Sequence, residues 1–290
     1  MALKPSEFIL NEDGSIYHLN LLPEQLAPTV ITVGDPDRVT QITKHFEKLE
    51  HKVHKREFHT QTGFYKGKRI SVISTGIGTD NIDIVFNELD ALVNIDFESR
   101  TIKNELTSLN IIRIGTSGAI QNDIPIDSFL VSETAVGFDS LLHFYKNEGV
   151  QDLEFSKVLI EHLKLPSENG TPYVVKSDEK LLSHFSDSKY YKGITVTNCG
   201  FYGPQGRMLR LALSNPNLND LLASFNYSGK RITNLEMETA GIYGLSKLLG
   251  HRAISLNAIV ANRATGEFSK DPAGTIDNLI VDALERIANI

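Results

Sequence analysis

The sequence lacks the features that mark several large classes of protein. It has one cysteine, Cys199. That excludes an internal disulfide framework and fits a reducing compartment, so the expected location is cytoplasmic. No apolar run approaches the roughly 18–20 residues that cross a bilayer, so no membrane association is expected. Met1–Leu10 carries a Lys, a Pro and a Glu before any apolar run, unlike a secretory signal. Basic residues are in the minority, with Lys plus Arg 29 against Asp plus Glu 36 and a net charge of −7. No basic stripe offsets that balance, so nucleic acid is not an expected partner. The nine histidines show no metal-ligand spacing, and no metal site is expected. Walker loop, Gly-x-Gly-x-x-Gly fingerprint and Gly-x-Ser-x-Gly elbow are all missing.

What is present is an ordinary globular composition, with 41% apolar and 22% charged residues. No linker, repeat or low-complexity tract divides the chain, so residues 1–290 are expected to form one domain. Short β-branched runs mark strands buried on both faces. They are Thr29–Val33, Ile70–Thr75, Ile111–Ile114, Ser128–Ser132 and Ala253–Val260. Amphipathic stretches at Asp80–Val93, Met237–Leu249 and Thr275–Ile290 read as helices between them. The alternation predicts an α/β layered fold with a largely parallel sheet. Asp96–Asn110 and Ser214–Arg231 are polar and read as surface embellishments.

Two glycine loops suggest an anion. Gly34-Asp-Pro-Asp-Arg38 directly follows a strand, and Asp35 or Asp37 can cap the next helix with Pro36 in its first turn. A plain strand–turn–helix joint explains that pattern. So does an anion held by the Gly34 backbone and Arg38. Arg113 stands inside the buried run Ile111–Ile114, where an unpaired charge costs several kcal/mol. It needs an anion, either a structural carboxylate or a small ligand. The following Gly115-Thr-Ser-Gly118 reads as a loop at the edge where open α/β sheets bind ligands. A small free anion, phosphate foremost, suits it better than a nucleotide's phosphate chain.

Two further groups carry chemistry. Glu236 and Glu238 lie two residues apart at a strand-to-helix transition, where a strand would put them on one face. Either they are solvated acids favoured by the helix dipole, or at least one faces a cleft and accepts from a sugar diol. Phe201-Tyr-Gly-Pro-Gln-Gly-Arg207 is either a simple turn or a site for a planar polar ring. Phe201 can pack on such a ring, while Gln205 and Arg207 offer an amide and a donor fork. Cys199 beside them reads as a packing residue.

Taken together, these residues closely resemble the nucleoside phosphorylase family, in its uridine-cleaving branch. The resemblance runs from about Ile16 to Asn262. It rests on Gly34-Asp-Pro-Asp-Arg-Val39, His54-Lys-Arg-Glu-Phe58, Ser74-Thr-Gly-Ile-Gly78, Arg113-Ile-Gly-Thr-Ser-Gly118, Phe201–Arg207 and Glu236-Met-Glu238, all in order. It implies a three-layer αβα sandwich around a twisted mixed β-sheet. It implies reversible conversion of uridine and phosphate to uracil and ribose 1-phosphate. The phosphate site would be Gly34, Arg38, Arg113 and Thr116, with Arg56 from a neighbouring subunit. The ribose site would be Thr116, Met237 and Glu238, with His18 from the neighbour. Phe201, Gln205 and Arg207 would hold uracil, and Glu236 would support them. The residues expected to carry catalysis are Arg207, Gln205, Glu238 and Arg113.

The same resemblance implies a homodimer with shared sites, with a higher oligomer open. Residues 1–28 would contact the partner subunit, and Asp96–Asn110 would obstruct a larger assembly. Phosphate is a co-substrate, and no cofactor is required. Glu57 and Ile77 match positions of an interface cation site in some relatives, but Asn81 replaces a small serine there. Purine-cleaving relatives carry an Asp after the late strand; here Ala258-Ile-Val-Ala-Asn-Arg263 has none. A purine phosphorylase, a hydrolytic nucleosidase of the same fold, or a non-catalytic nucleoside- or anion-binding protein are the alternatives.

Overall fold

A computed structural model describes residues 2–290. Strand β1 (Thr29–Val33) leads into α1 (Pro36–Thr43). Then come β2 (Lys48–Lys55), β3 (Phe58–Tyr65), β4 (Lys68–Ser74) and α2 (Thr79–Asn94). A two-residue pair, β5 (Ile95–Asp96) and β6 (Thr101–Ile102), precedes the long strands β7 (Asn110–Ala119) and β8 (Phe129–Gly137). Next are α3 (Leu153–Leu163), β9 (Tyr173–Lys176), α4 (Glu179–Ser183), β10 (Tyr190–Thr197) and α5 (Leu218–Ser224). The chain ends with β11 (Asn226–Tyr227), β12 (Lys230–Glu236), α6 (Thr239–Leu249), β13 (Arg252–Asn262), β14 (Glu267–Phe268) and α7 (Pro272–Ile287).

The main sheet runs β11-β12-β10-β8-β13-β7-β1-β4-β3-β2. It is mixed. Strand β1 is parallel to β4 and β7, β7 to β13, and β10 to β8 and β12. The β2–β3–β4 edge and the β8–β13 pair are antiparallel. The expected parallel pairing therefore holds in two blocks, β12-β10-β8 and β13-β7-β1-β4, which the antiparallel β8–β13 pair joins. Strand β7 also pairs with β12, at Gly118 and Ala119, which curls this half of the sheet onto itself.

Alternation along the strands sorts side chains into two layers. Val30, Ile73, Ile111 and Ala253 face α2 and α6, in one core with Ile82, Phe86, Ile242 and Tyr243. Ile31, Val33, Val72, Ile112, Ile114 and Leu256 face α1 and α7, with Val39, Ile42, Leu279 and Leu284. Helices on both sheet faces make the three expected layers. A third cluster joins Phe155 and Leu159 of α3 to Leu222 of α5, Phe225 and Ile232.

Several local expectations change. Gly115-Thr-Ser-Gly118 is not a loop: β7 runs on to Ala119, because the eleven-residue β13 beside it extends to Asn262 and pairs with it throughout. Ser214–Arg231 is not an embellishment, since Leu222 and Phe225 are buried in a core. Asp96–Asn110 is tied at its base, where Asn94 accepts from the Thr107 N–H and donates to the Thr107 carbonyl. Cys199 is exposed rather than packed. Helix α7 begins at Pro272, earlier than the apolar pattern, because Asp271 caps it by accepting from Gly274 N. The segment expected against a partner also packs on its own subunit: Phe8, Ile16, Leu19 and Leu21 are buried near α2. Among the described residues, no helix is long and apolar enough to cross a membrane.

Candidate active site

Strands β1, β4 and β7 are parallel neighbours, so their C-terminal ends open on one edge. Gly34 follows β1 and Gly76 follows β4, and the Gly34 backbone lies against the Gly76 carbonyl. Asp35 caps α1 by accepting from Asp37 N–H at 3.0 Å, with Pro36 in the first helical turn. That cap directs Arg38 inward, where it is buried. Arg38 donates to the Ile114 carbonyl at 3.4 Å, and its buried Nε has no partner. Among the described residues, no carboxylate forms an ion pair with it. Burial pushes its guanidinium below the ordinary arginine value, and nearby Asp35 only partly opposes this.

Arg113 is buried as well, but it has partners. Its Nη2 donates to Glu238 Oε2 at 2.7 Å and lies 3.1 Å from Glu236 Oε2. Its Nη1 donates to Asn257 Oδ1 at 3.0 Å. Of the two anions open to it from the sequence, the structural one is present, as two carboxylates. The guanidinium lies across Gly115, where an added Cβ would come within 2.2 Å of Nη1. Only glycine fits there. Burial opposes the charge on Arg113, but Glu236 and Glu238 outweigh it and hold the group above its ordinary value.

The two glutamates have different duties. Glu236 ends β12 and accepts from Thr197 Oγ1 at 2.6 Å and from the N–H groups of Glu238 and Thr239 at 3.0 Å. It thereby caps α6. Glu238 accepts from Gly78 N–H at 2.9 Å, and Gly78 has φ +98°, a conformation that suits glycine. Burial pushes the Glu238 carboxyl above its usual range, against the pull of Arg113. Met237, between the two glutamates, and Thr116, three residues after Arg113, are half-buried.

The Phe201–Arg207 turn reaches the same place. Gln205 is buried, and its Nε2 donates to the Glu236 carbonyl at 3.5 Å. Arg207 donates to Gln205 Oε1 at 2.6 Å and to the Phe201 carbonyl at 2.7 Å. Its guanidinium also stacks on the Phe201 ring at 3.8 Å. One face of Phe201 is thus covered by Arg207 rather than open. Arg207 is pushed down to about 10 by burial and by the nearby positive charge of Arg263.

Sequence reasoning missed Arg263. It donates to the Gln205 and Gly206 carbonyls at 3.0 and 3.1 Å, clamping the turn. The available signal was a cation directly after β13. A cavity of about 1120 Å³ is lined by Phe138, Asn198, Cys199, Leu222 and the turn residues Tyr202 and Pro204; of the expected site residues only Arg207 reaches it.

His18 and Arg56 do not join the cluster. Arg56 is exposed on the β2–β3 turn with φ +56°, and its guanidinium lies 5.9 Å from the Tyr17 ring. The His18 ring is 4.7 Å from the same tyrosine. The two residues share one patch. Glu57 and Asn81 both crowd Gly76, and Ile77 is exposed, so the three positions expected of a cation site are neighbours.

Against known proteins, the family model described as the Phosphorylase superfamily matches residues 28–290. The uridine phosphorylase of Thermococcus kodakarensis is 33% identical over 268 residues, covering 89% of this chain and 82% of that one. A DeoD-type purine nucleoside phosphorylase of Oceanobacillus iheyensis is 26% identical, covering 93% and 98%. The solved structure of a Trypanosoma brucei nucleoside phosphorylase, described as showing uridine phosphorylase activity, superposes with a TM-score of 0.88. It is 29% identical over 98% of this chain and 100% of that one.

Proposed function

The chain belongs to the phosphorylase superfamily, and we infer that it is a pentosyltransferase that cleaves uridine with phosphate, reversibly, to uracil and ribose 1-phosphate. The observation that carries this reading is Arg38. A buried guanidinium without an ion pair or an Nε partner, at a strand edge beside glycine backbone, calls for a small anion. Gly34, Arg38, Thr116 and Arg113 form the phosphate subsite, with Arg56 completing it from a second copy of the chain. His18 from the same exposed patch reaches the ribose, together with Met237 and Glu238.

The chemistry follows from these positions. Glu238 accepts from the 2′ and 3′ hydroxyls and aligns C1′ over phosphate. Departure of uracil leaves positive charge on C1′ and negative charge on the base. Gln205 and Arg207 meet the developing anion at its carbonyl edge, which is electrostatic stabilisation of the transition state. Arg207 leaves the Phe201 face as the ring takes its place there. Phosphate is the nucleophile and approaches C1′ from the opposite side. Glu236 does not touch substrate; it sets the direction of Glu238 through the α6 cap. The working unit is a homodimer or a larger assembly with shared sites, and the compartment is the cytoplasm. The lone cysteine supports the second of these, and the common patch of His18 and Arg56 supports the first.

The test is uracil release from uridine with and without phosphate. Release only with phosphate, and much slower cleavage of inosine and adenosine, is expected. Equal release in phosphate-free buffer would make the protein a hydrolase. A preference for inosine would move it to the purine branch.

A further inference from the structure

Glu88, on α2, belongs to none of the subsites above, yet its carboxylate is committed at both oxygens. Oε1 accepts from the His18 backbone N–H at 2.9 Å and lies 2.7 Å from ring Nδ1. Oε2 accepts from the Leu19 N–H at 2.8 Å. The carboxylate is largely buried, with 12% of the side chain exposed, while the imidazole keeps 25%. From the other side Lys55 pins the same turn, donating to the Tyr17 carbonyl at 2.6 Å and to Asn11 Oδ1 at 2.8 Å. Tyr17 and Phe58 meet the ring edge-on, with centroids 4.7 and 6.2 Å away. The imidazole is therefore fixed in position as well as in direction.

A carboxylate can only accept, so Nδ1 carries the hydrogen. In the neutral tautomer that this contact selects, Nε2 is the acceptor. An acceptor nitrogen suits a hydroxyl. It does not suit a base carbonyl, which has no hydrogen to give, and the phosphate is met by the guanidinium donors of Arg38 and Arg113 in the proposed site. Of the ribose hydroxyls, Glu238 takes the 2′ and 3′ groups, which leaves the 5′ hydroxyl.

We propose that Glu88 is a positioning residue for sugar recognition, holding His18 so that its Nε2 accepts from the 5′ hydroxyl of uridine bound in a second copy of the chain. This rests on the reading of His18 as a ribose contact. Glu88 acts through His18 and touches no substrate.

The experiment compares kcat/KM for uridine and 5′-deoxyuridine, with 2′-deoxyuridine as a control, in the full-length protein. The variants are Glu88→Gln, Glu88→Asp, His18→Ala and the His18→Ala/Glu88→Gln double variant. Glutamine keeps one acceptor but turns an amide NH₂ toward the backbone N–H groups it should receive. His18→Ala is expected to shrink the preference for uridine over 5′-deoxyuridine by about three- to tenfold, the worth of one hydrogen bond. Glu88→Gln should shrink the same ratio, and the double variant should fall no further than His18→Ala alone. The 2′-deoxyuridine ratio should not move. Glu88→Asp keeps the charge, retains the fold if glutamine does not, and should lower the 5′ ratio partway.

A merely structural Glu88 would slow all three substrates equally, which would overturn the proposal. So would a 5′ ratio that responds to His18→Ala but to neither Glu88 variant; the ribose reading of His18 would then survive. If His18→Ala itself leaves the ratio unchanged, that reading fails and the proposal falls with it.

Discussion

Arg113 Nη2 lies 2.7 Å from Glu238 Oε2, and both groups are buried at the edge where β7 meets the start of α6. In the proposed site the pair joins a phosphate-subsite cation to a ribose-subsite anion. Neither charge is tolerable there without the other.

Arg113→Ala should therefore act on the fold before it acts on chemistry. It leaves Glu236 and Glu238 buried together, and the expected loss is about 3–5 kcal/mol at neutral pH. The loss should shrink in acid, where the carboxylates can take protons. Denaturant unfolding at two pH values checks this. A variant as stable as the parent at neutral pH would show that the pair contributes little.

Arg207→Ala should lower turnover by on the order of 10²–10³ while leaving the phosphate saturation curve in place. Its partner is the uracil carbonyl as charge develops. Arg263 donates to the Gln205 and Gly206 carbonyls and has no substrate contact in the proposed site, so Arg263→Ala should weaken the same step by a smaller factor. Steady-state kinetics in both substrates separate the two. A shift in the phosphate curve with unchanged turnover would reverse the assignment of Arg207.

Arg56→Ala and Glu238→Ala allow a complementation test of the shared site. Each homodimer should be nearly inactive. In a heterodimer one site carries both lesions and the other carries neither. With random pairing roughly a quarter of all sites should be intact, and co-expression should restore about that share of activity. Verified heterodimers that stay inactive would mean that Arg56 does not complete a neighbour's site.

Asp282 provides a prediction on pH and stability. Burial would raise its carboxyl, but donors from Arg286, Lys189 and Tyr190 at 2.6–2.7 Å outweigh this and hold it below the usual 3.8. A depressed carboxylate stabilises the fold above its unfolded pKa, and loses that effect as pH falls through the folded one. Asp282→Asn should cost on the order of 2 kcal/mol at pH 7. The gap in Tm to the parent should close as pH falls below 3.8. A gap that stays constant into acid would mean the loss is steric.

Much of this was already determined by the sequence. Continuous Val/Ile runs gave the central strands because burial on both faces demands them, and glycine after Val33 and after Thr75 marked the edge where the candidate site lies. Asp35 and Pro36 determined the start of α1, since cap chemistry is local. Arg113 was legible as a charge in need of an anion, because burying it alone is too costly in any fold. Which anion was not legible. Glu236 and Glu238 lie more than 120 positions away in sequence, and only the pairing of β12 in the sheet and the packing of α6 on it deliver them. Gly115-Thr-Ser-Gly118 read as a loop because glycine content is a local signal, whereas its pairing with β13 is a property of the whole sheet. Arg263 and Glu88 carried no motif. Each gains its meaning from carbonyls or amides that another element brings within hydrogen-bond reach, and that placement belongs to the tertiary structure alone.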